Sequence, residues 1–376
     1  MRIILLLIFI LGVWLNSFGQ LRNRVISPEV ITGNKIVFRL FAPEAKSVSL
    51  YGEWITDYTK LVILQRNDTG LFQVEVGPVA PEIYGYNFIV DGVLVLDPSN
   101  PLVRRDGQRN ASLVLVPGNE SSLYGIEKVP HGTLSKVWYN SSTIGINRRM
   151  YIYTPPGYEQ SDINYPVLYL LHGAGGDEDA WTTMGRAPYI LDNLISQGKS
   201  RPMLVVMPNG NAYQTAAPGE TPSSTTTERP SDFASYRGKY EESLVNDIIP
   251  FIEKNYHVLK GKDNRAIAGL SMGGGNTVTV TTSHPELFSY IGVFSAGVRN
   301  ADEAFDTKMK AIKDNKVKMY YVGCGVEDRM AYQGSQLLVA ILKKHGIPYI
   351  FRESTGGHTW ANWRIYLSEM APLLFK

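Results

Sequence analysis

The sequence predicts two folds in tandem: a small all-β sandwich, then an α/β domain built on a doubly wound sheet. Three observations predict this. Residues 25–118 break into short runs of alternating apolar and polar residues, punctuated by Gly, Pro, Asn and Asp. From residue 136 onward, near-continuous apolar runs alternate with helix-length segments. The chain has 376 residues, more than one ordinary domain holds and enough for two.

The bulk composition is that of a chain that folds on its own core. Hydrophobic residues make up 44% and charged residues 19%, so neither disorder nor a highly charged interaction tail is expected. The formal net charge of +2, without a Lys/Arg block, offers no basic field for nucleic acid. At the N-terminus, Arg2 precedes an apolar run from Ile3 to Leu15, and Gly19 stands before Gln20. A positive charge, a short apolar core and a small residue predict a signal peptide over 1–19 and a secreted or periplasmic mature chain. The run is shorter than the ~20 residues a membrane helix needs, and no second such run follows, so no membrane span is expected in the mature chain. Cys324 is the only cysteine, which excludes an internal disulfide; in the strand-like "MYYVGCG" it reads as a small buried apolar residue.

In chain order, "KIVFRLFAP" (35–43), "SVSLYGEW" (47–54), "GLFQVEV" (70–76), "IYGYNFIVDG" (83–92) and "ASLVLVP" (111–117) read as the sandwich strands. Residues 119–135 loosen in texture and predict a linker to an α/β domain over 136–376. There, "PVLYLLHG" (166–173), "PMLVVMPNG" (202–210), "RAIAGLS" (265–271), "YIGVFSAG" (290–297), "KMYYVGCG" (318–325) and "PYIFRES" (348–354) have the continuous apolar character of parallel strands covered on both faces. Helices are predicted near 186–197, 241–255, 272–284, 302–313, 331–345 and 362–374. Functional groups of such a sheet gather beyond the carboxyl ends of its strands. The Ser/Thr/Pro-rich stretch 211–237 interrupts the alternation just after a strand end, which predicts a loop, functional or disordered, emerging on the active face.

The chemistry starts at Gly269-Leu270-Ser271-Met272-Gly273, a G-x-S-x-G run between an apolar strand and a helix. In that context the serine is held on a sharp turn with its hydroxyl exposed, as a nucleophile requires. Such a serine needs a base. His358, after the last strand and two glycines in "ESTGGHTW", is the candidate; His131, His257, His284 and His345 fall in linker or helix-end settings, and His172 ends a strand. The acid that orients the histidine should lie between them, just after a strand. "CGVEDRM" offers Asp328 first and Glu327 second. Donors for a developing oxyanion should be the N–H of Met272 and an N–H of "HGAGG" (172–176), from Ala174 or Gly173. Trp181, Trp360 and Trp363 lie near these loops and are candidates for the wall of a substrate pocket. No phosphate loop, H-E-x-x-H or Cys/His cluster is present, so no cofactor and no metal are expected.

Together, "YPVLYLLHGAGGDEDAW", "RAIAGLSMGGG", "FSYIGVFSAG", "CGVED" and "GGHTWANWR" resemble the feruloyl esterases of carbohydrate esterase family one, over residues 136–376. The resemblance implies an α/β-hydrolase fold and hydrolysis of hydroxycinnamate esters on arabinoxylan or its oligosaccharides. It further implies Ser271, Asp328 and His358 as triad, with Met272 and Ala174 as the oxyanion donors. "VFRLFAPEAKSVSLYGEW" and "YGYNFIVDGVLVLDPSNP" are similar to the immunoglobulin-like carbohydrate-binding modules that precede glycogen-branching enzymes. Acetylxylan deacetylation, siderophore trilactone hydrolysis, acyl transfer to a sugar, and sugar binding by an inactive hydrolase are the alternative expectations.

Overall fold

A computed structural model describes residues 25–221 and 233–376, apart from 56, 58 and 108. The proposed signal peptide and the centre of the 211–237 loop lie outside the described residues. The chain divides into two compact units: residues up to Val103 with Ala111–Val116, and Arg104–Asn110 with Pro117–Lys376.

The first unit is all-β. Strands β1 (Glu29–Ile31), β2 (Lys35–Phe41), β5 (Gln65–Arg66) and β6 (Leu71–Val76) form one antiparallel sheet in the order β1-β2-β6-β5. A second sheet has the order β4-β3-β7-β10-β9, from β3 (Val48–Gly52), β4 (Val62–Ile63), β7 (Ile83–Val90), β9 (Val103–Asp106) and β10 (Arg109–Leu115), with β8 (Val93–Val95) paired to β7. Alternate residues of the longer strands, among them Ile36, Phe38, Leu40, Leu50, Tyr86 and Phe88, bury one shared core. Phe38 meets Tyr86 edge-on, with ring centroids 4.8 Å apart, and stacks on Trp54 at 5.4 Å.

The second unit is built on an eight-stranded sheet of order β11-β12-β14-β13-β15-β16-β17-β18. Its strands are β11 (Thr133–Ser141), β12 (Ile146–Thr154), β13 (Val167–Leu171), β14 (Leu204–Pro208), β15 (Arg265–Leu270), β16 (Tyr290–Phe294), β17 (Met319–Gly325) and β18 (Tyr349–Ser354). From β14 to β18 all neighbours are parallel, while β12 runs antiparallel to both β11 and β14. The apolar runs thus mark the parallel strands, every residue of β13, β14, β16 and β17 being buried. The antiparallel pair β11–β12 escapes that rule. β11 is an edge strand that alternates exposed and partly buried residues, as a solvent-facing edge must.

Helices α1 (Ala180–Thr183), α2 (Ala187–Ser196), α3 (Lys239–Ser243), α4 (Ile249–Asn255), α5 (Met272–Ser283), α6 (Glu303–Asp314), α7 (Tyr332–Lys344) and α8 (Trp360–Met370) fill the connections, with a π turn at Leu244–Ile248 joining α3 to α4. Gly292 of β16 and Gly323 of β17 give α8 its seat: a Cβ on either would come within 2.5–2.7 Å of Met370 or Tyr366.

Residues 119–135 differ from the expected linker. Tyr124 is fully buried, with the Arg364 guanidinium 4.9 Å from its ring centre. Asn193 of α2 donates to the carbonyls of Leu123 and Gly125. The buried Asp192 accepts from the Gly132 N–H and pairs with His131. The segment is part of the second unit because these backbone groups are satisfied there; its polar, glycine-containing texture conceals that docking.

Candidate active site

The five loops that follow β13, β15, β16, β17 and β18 leave the same edge of the sheet, since those strands are mutually parallel. The Ser271 loop is the tightest. Ser271 has φ 51° and ψ −115°, a conformation costly for a residue with a side chain. Its neighbours make the turn possible. A Cβ on Gly269 would stand 2.3 Å from the Gly273 backbone, and one on Gly273 would stand 2.5 Å from the His172 carbonyl oxygen. Gly274 is needed for a third approach, 2.6 Å from the Ala296 Cβ, whereas a Cβ on Gly275 would meet open space.

The structure brings Ser271, His358 and Asp328 together. His358 Nε2 lies 3.0 Å from Ser271 Oγ, and its Nδ1 lies 2.8 Å from Asp328 Oδ2. Asp328 is buried, and its Oδ1 accepts from the N–H groups of Met330 and Ala331 at 3.2 and 3.1 Å. A carboxylate so held favours the Nδ1–H tautomer, leaving Nε2 as acceptor toward the serine. Glu327 is exposed, and the carboxylate that pairs with His358 is that of Asp328. The Trp363 ring meets His358 edge-on, 5.0 Å between centroids, and limits its rotation.

Met272 opens α5, so its N–H belongs to the first turn, which has no intrahelical acceptor. Ala174 lies in the exposed turn after β13, and its N–H has no acceptor among the described residues. Gly173 is packed against the Ser271 loop: a Cβ there would stand 3.2 Å from the Ser271 Cβ. This turn is braced from beneath. His172 donates from Nδ1 to the Gly173 carbonyl at 2.8 Å, and its Nε2 accepts the Gly210 N–H at 2.7 Å. Burial holds this imidazole below its ordinary pKa, so it stays neutral. The buried Glu178 accepts from Arg149, Asn209 and the Ala217 N–H, and Arg149 also pairs with Glu220. The first part of the 211–237 stretch is therefore packed structure, with Ala212, Ala216 and Ala217 buried.

The tryptophans differ from expectation. Trp181 is 1% exposed, donates to the Leu171 carbonyl and meets Trp360 edge-on at 5.3 Å; Trp360 meets Trp363 at 5.1 Å. None of the three lines the open cleft at Ser271. They form an aromatic block behind His358, because large apolar rings near a strand end pack into the core as readily as they wall a pocket. The cleft, of about 690 Å³, is lined instead by residues such as Met272, Val298, Arg299, Arg329, Met330 and Leu337. Arg299 and Arg329 were absent from the sequence expectation. Their signal was positional: each follows a parallel strand within a few residues of its carboxyl end. Among the described residues no cluster of His, Cys, Asp and Glu is arranged to hold a metal.

A strained G-x-S-x-G turn between strand and helix, on a mixed sheet with a Ser–His–Asp hydrogen-bond chain at its carboxyl edge, is the arrangement of the α/β-hydrolase fold. The putative esterase family matches residues 141–374, and the chain belongs to it. An endo-1,4-β-xylanase/feruloyl esterase of Xylanibacter ruminicola is 33% identical over 352 residues, covering 90% of this chain and 44% of the relative. The chain spans less than half the length of the first curated relatives it matches. Among solved structures, a CE1 ferulic acid esterase of Anaeromyces mucronatus in complex with ferulic acid has a TM-score of 0.58 at 23% identity, covering 69% of this chain and 96% of its own. The enterobactin esterase of Shigella flexneri has a TM-score of 0.63 at 18% identity, covering 91% and 93%. These two likenesses speak to the fold.

Proposed function

We infer that the chain hydrolyses feruloyl and related hydroxycinnamoyl esters carried by plant cell-wall xylan. The observation that carries this reading is the 33% identity, across 90% of the chain, to a protein named as an endo-xylanase and feruloyl esterase. Ser271 Oγ attacks the ester carbonyl as its proton passes to His358 Nε2, 3.0 Å away. Asp328 holds the imidazolium through Nδ1. The tetrahedral oxyanion accepts from the N–H groups of Met272 and Ala174. His358 then protonates the departing sugar hydroxyl, and water, deprotonated by the same histidine, releases ferulic acid from Ser271. The open cleft has room for a ferulate ring and part of a sugar chain. A polymeric extracellular substrate fits the export that residues 1–19 predict.

A second reading is hydrolysis of a catecholate trilactone. It is favoured by the enterobactin esterase likeness, which extends over 91% of the chain rather than the second unit alone. Rates of the purified protein on methyl ferulate, acetylated xylan and a catecholate trilactone separate these readings. The feruloyl reading requires the highest kcat/KM on the ferulate; a preference for the trilactone or for acetyl groups overturns it.

A further inference from the structure

We propose that Arg299 and Arg329 form an anion subsite in the Ser271 cleft, and that the preferred substrate carries a carboxylate beyond its scissile ester. This rests on the esterase reading of the same cleft and narrows its substrate class. Both arginines line the cleft together with Ser271 and His358, and both side chains belong to exposed residues. Among the described residues neither makes an ion pair or a side-chain hydrogen bond, unlike Arg149, Arg265 and Arg352, which pair with Glu178, Glu253 and Glu369. Among the described residues no Asp or Glu lines the cleft. Of the acids that flank these arginines in the chain, Asp328 accepts from His358 and two backbone N–H groups, Asp302 caps α6 through the Phe305 N–H, and the exposed Glu327 does not line the cleft.

The two arginines come from different loops, after β16 and after β17, and both line one cavity. Two like charges brought into one cleft, with no counter-ion there among the described residues, repel each other, a cost that a bound anion removes. Arginine's planar fork suits a carboxylate, which it can grip through two parallel hydrogen bonds. Apolar side chains, Met272, Val298, Leu337 and the 76% exposed Met330, line the cleft beside the polar Ser295 and Gln333. An apolar stretch of wall beside two cationic residues fits an ester whose apolar part lies along the methionines and whose carboxylate reaches the arginines. That carboxylate belongs either to the acyl group or to an acidic sugar on the alcohol side.

The test uses matched pairs on the full chain. On the acyl side, methyl 4-O-carboxymethylferulate is compared with its neutral carbamoylmethyl amide. On the alcohol side, a feruloylated xylo-oligosaccharide bearing a glucuronic acid is compared with the same compound after reduction of that carboxyl group. One pair is expected to favour its acid member by about tenfold in kcat/KM at low salt, the order that a charge-assisted hydrogen bond supplies. The pair that does so identifies the side that carries the anion. The preference should shrink in high salt, collapse in the Arg299→Gln/Arg329→Gln double variant, and persist in the double Lys variant. Equal rates within both pairs, or a preference that survives the double Gln variant, overturns the subsite. Failure of the feruloyl reading is seen separately, as turnover of 4-nitrophenyl acetate without turnover of methyl ferulate. In that case the same pairs are compared as competitive inhibitors of nitrophenyl acetate hydrolysis, and equal inhibition constants overturn the subsite.

Discussion

At the scale of residues, the site depends on which carboxylate faces His358. Two acids stand side by side after β17, and their environments differ. Asp328 is buried and held by two backbone N–H groups, whereas Glu327 is exposed. The account predicts that Asp328→Asn lowers kcat by about 10⁴, because an amide presents the wrong partner to Nδ1. Glu327→Gln should stay within about threefold of the parent, the scale of a solvated surface charge. Steady-state kinetics on methyl ferulate decide the point; equal losses in both variants would mean that the acid is misassigned. Ser271 and His358 were legible in the sequence because their contexts, strand–turn–helix and strand–Gly-Gly, are local. The choice between two adjacent acids is made by burial, which a chain read in one dimension does not display.

At the scale of elements, the glycine-rich start of α5 is a packing device, and its positions are not equivalent. Gly273→Ala would drive a Cβ to within 2.5 Å of the His172 carbonyl, backbone that has no room to yield. Overpacking of that kind costs about 1–3 kcal/mol. Gly275→Ala enters open space within a helix and should stabilise by about 0.5–1 kcal/mol. Thermal denaturation is expected to lower Tm for the first variant and hold or raise it for the second; the reverse order would refute the packing account. The parallel strands announced themselves by unbroken apolar runs. The pair β11–β12 did not, because one of its strands is a half-exposed edge. The three tryptophans misled for a related reason. Proximity to catalytic loops in sequence does not say on which side of His358 a ring lies, and Trp181 turned inward to bond the Leu171 carbonyl.

At the scale of the whole molecule, the sheet edge that carries Ser271 is supported by a polar layer that the sequence does not reveal, since its members are far apart in the chain. Arg149 and Glu178 have side-chain exposures of 3% and 0%. Removing one partner of such a pair strands the other charge, so Arg149→Met is expected to cost about 3–5 kcal/mol in chemical denaturation. A loss under 1 kcal/mol would show that the pair is not part of the support. His172 adds a pH dependence. Its imidazole pKa is held by burial below the ordinary 6.5, against the opposing pull of the Gly173 carbonyl and Asp177. Below pH ~6.5 the unfolded chain binds a proton that the folded chain refuses. Stability is therefore retained above that pH and falls below it, by up to about 1.4 kcal/mol per pH unit from this group. His172→Gln should flatten the decline between roughly pH 6.5 and 5 in urea titrations; parallel curves would remove His172 as its source.

The central claim is that ester cleavage runs through Ser271, and the most direct measurement is the methyl ferulate kcat of Ser271→Ala beside the parent, with circular dichroism confirming that the variant is folded. The account predicts a folded protein whose turnover falls by about 10⁶, to the level that binding and the oxyanion donors alone sustain. A folded Ser271→Ala variant that keeps its turnover would contradict the account.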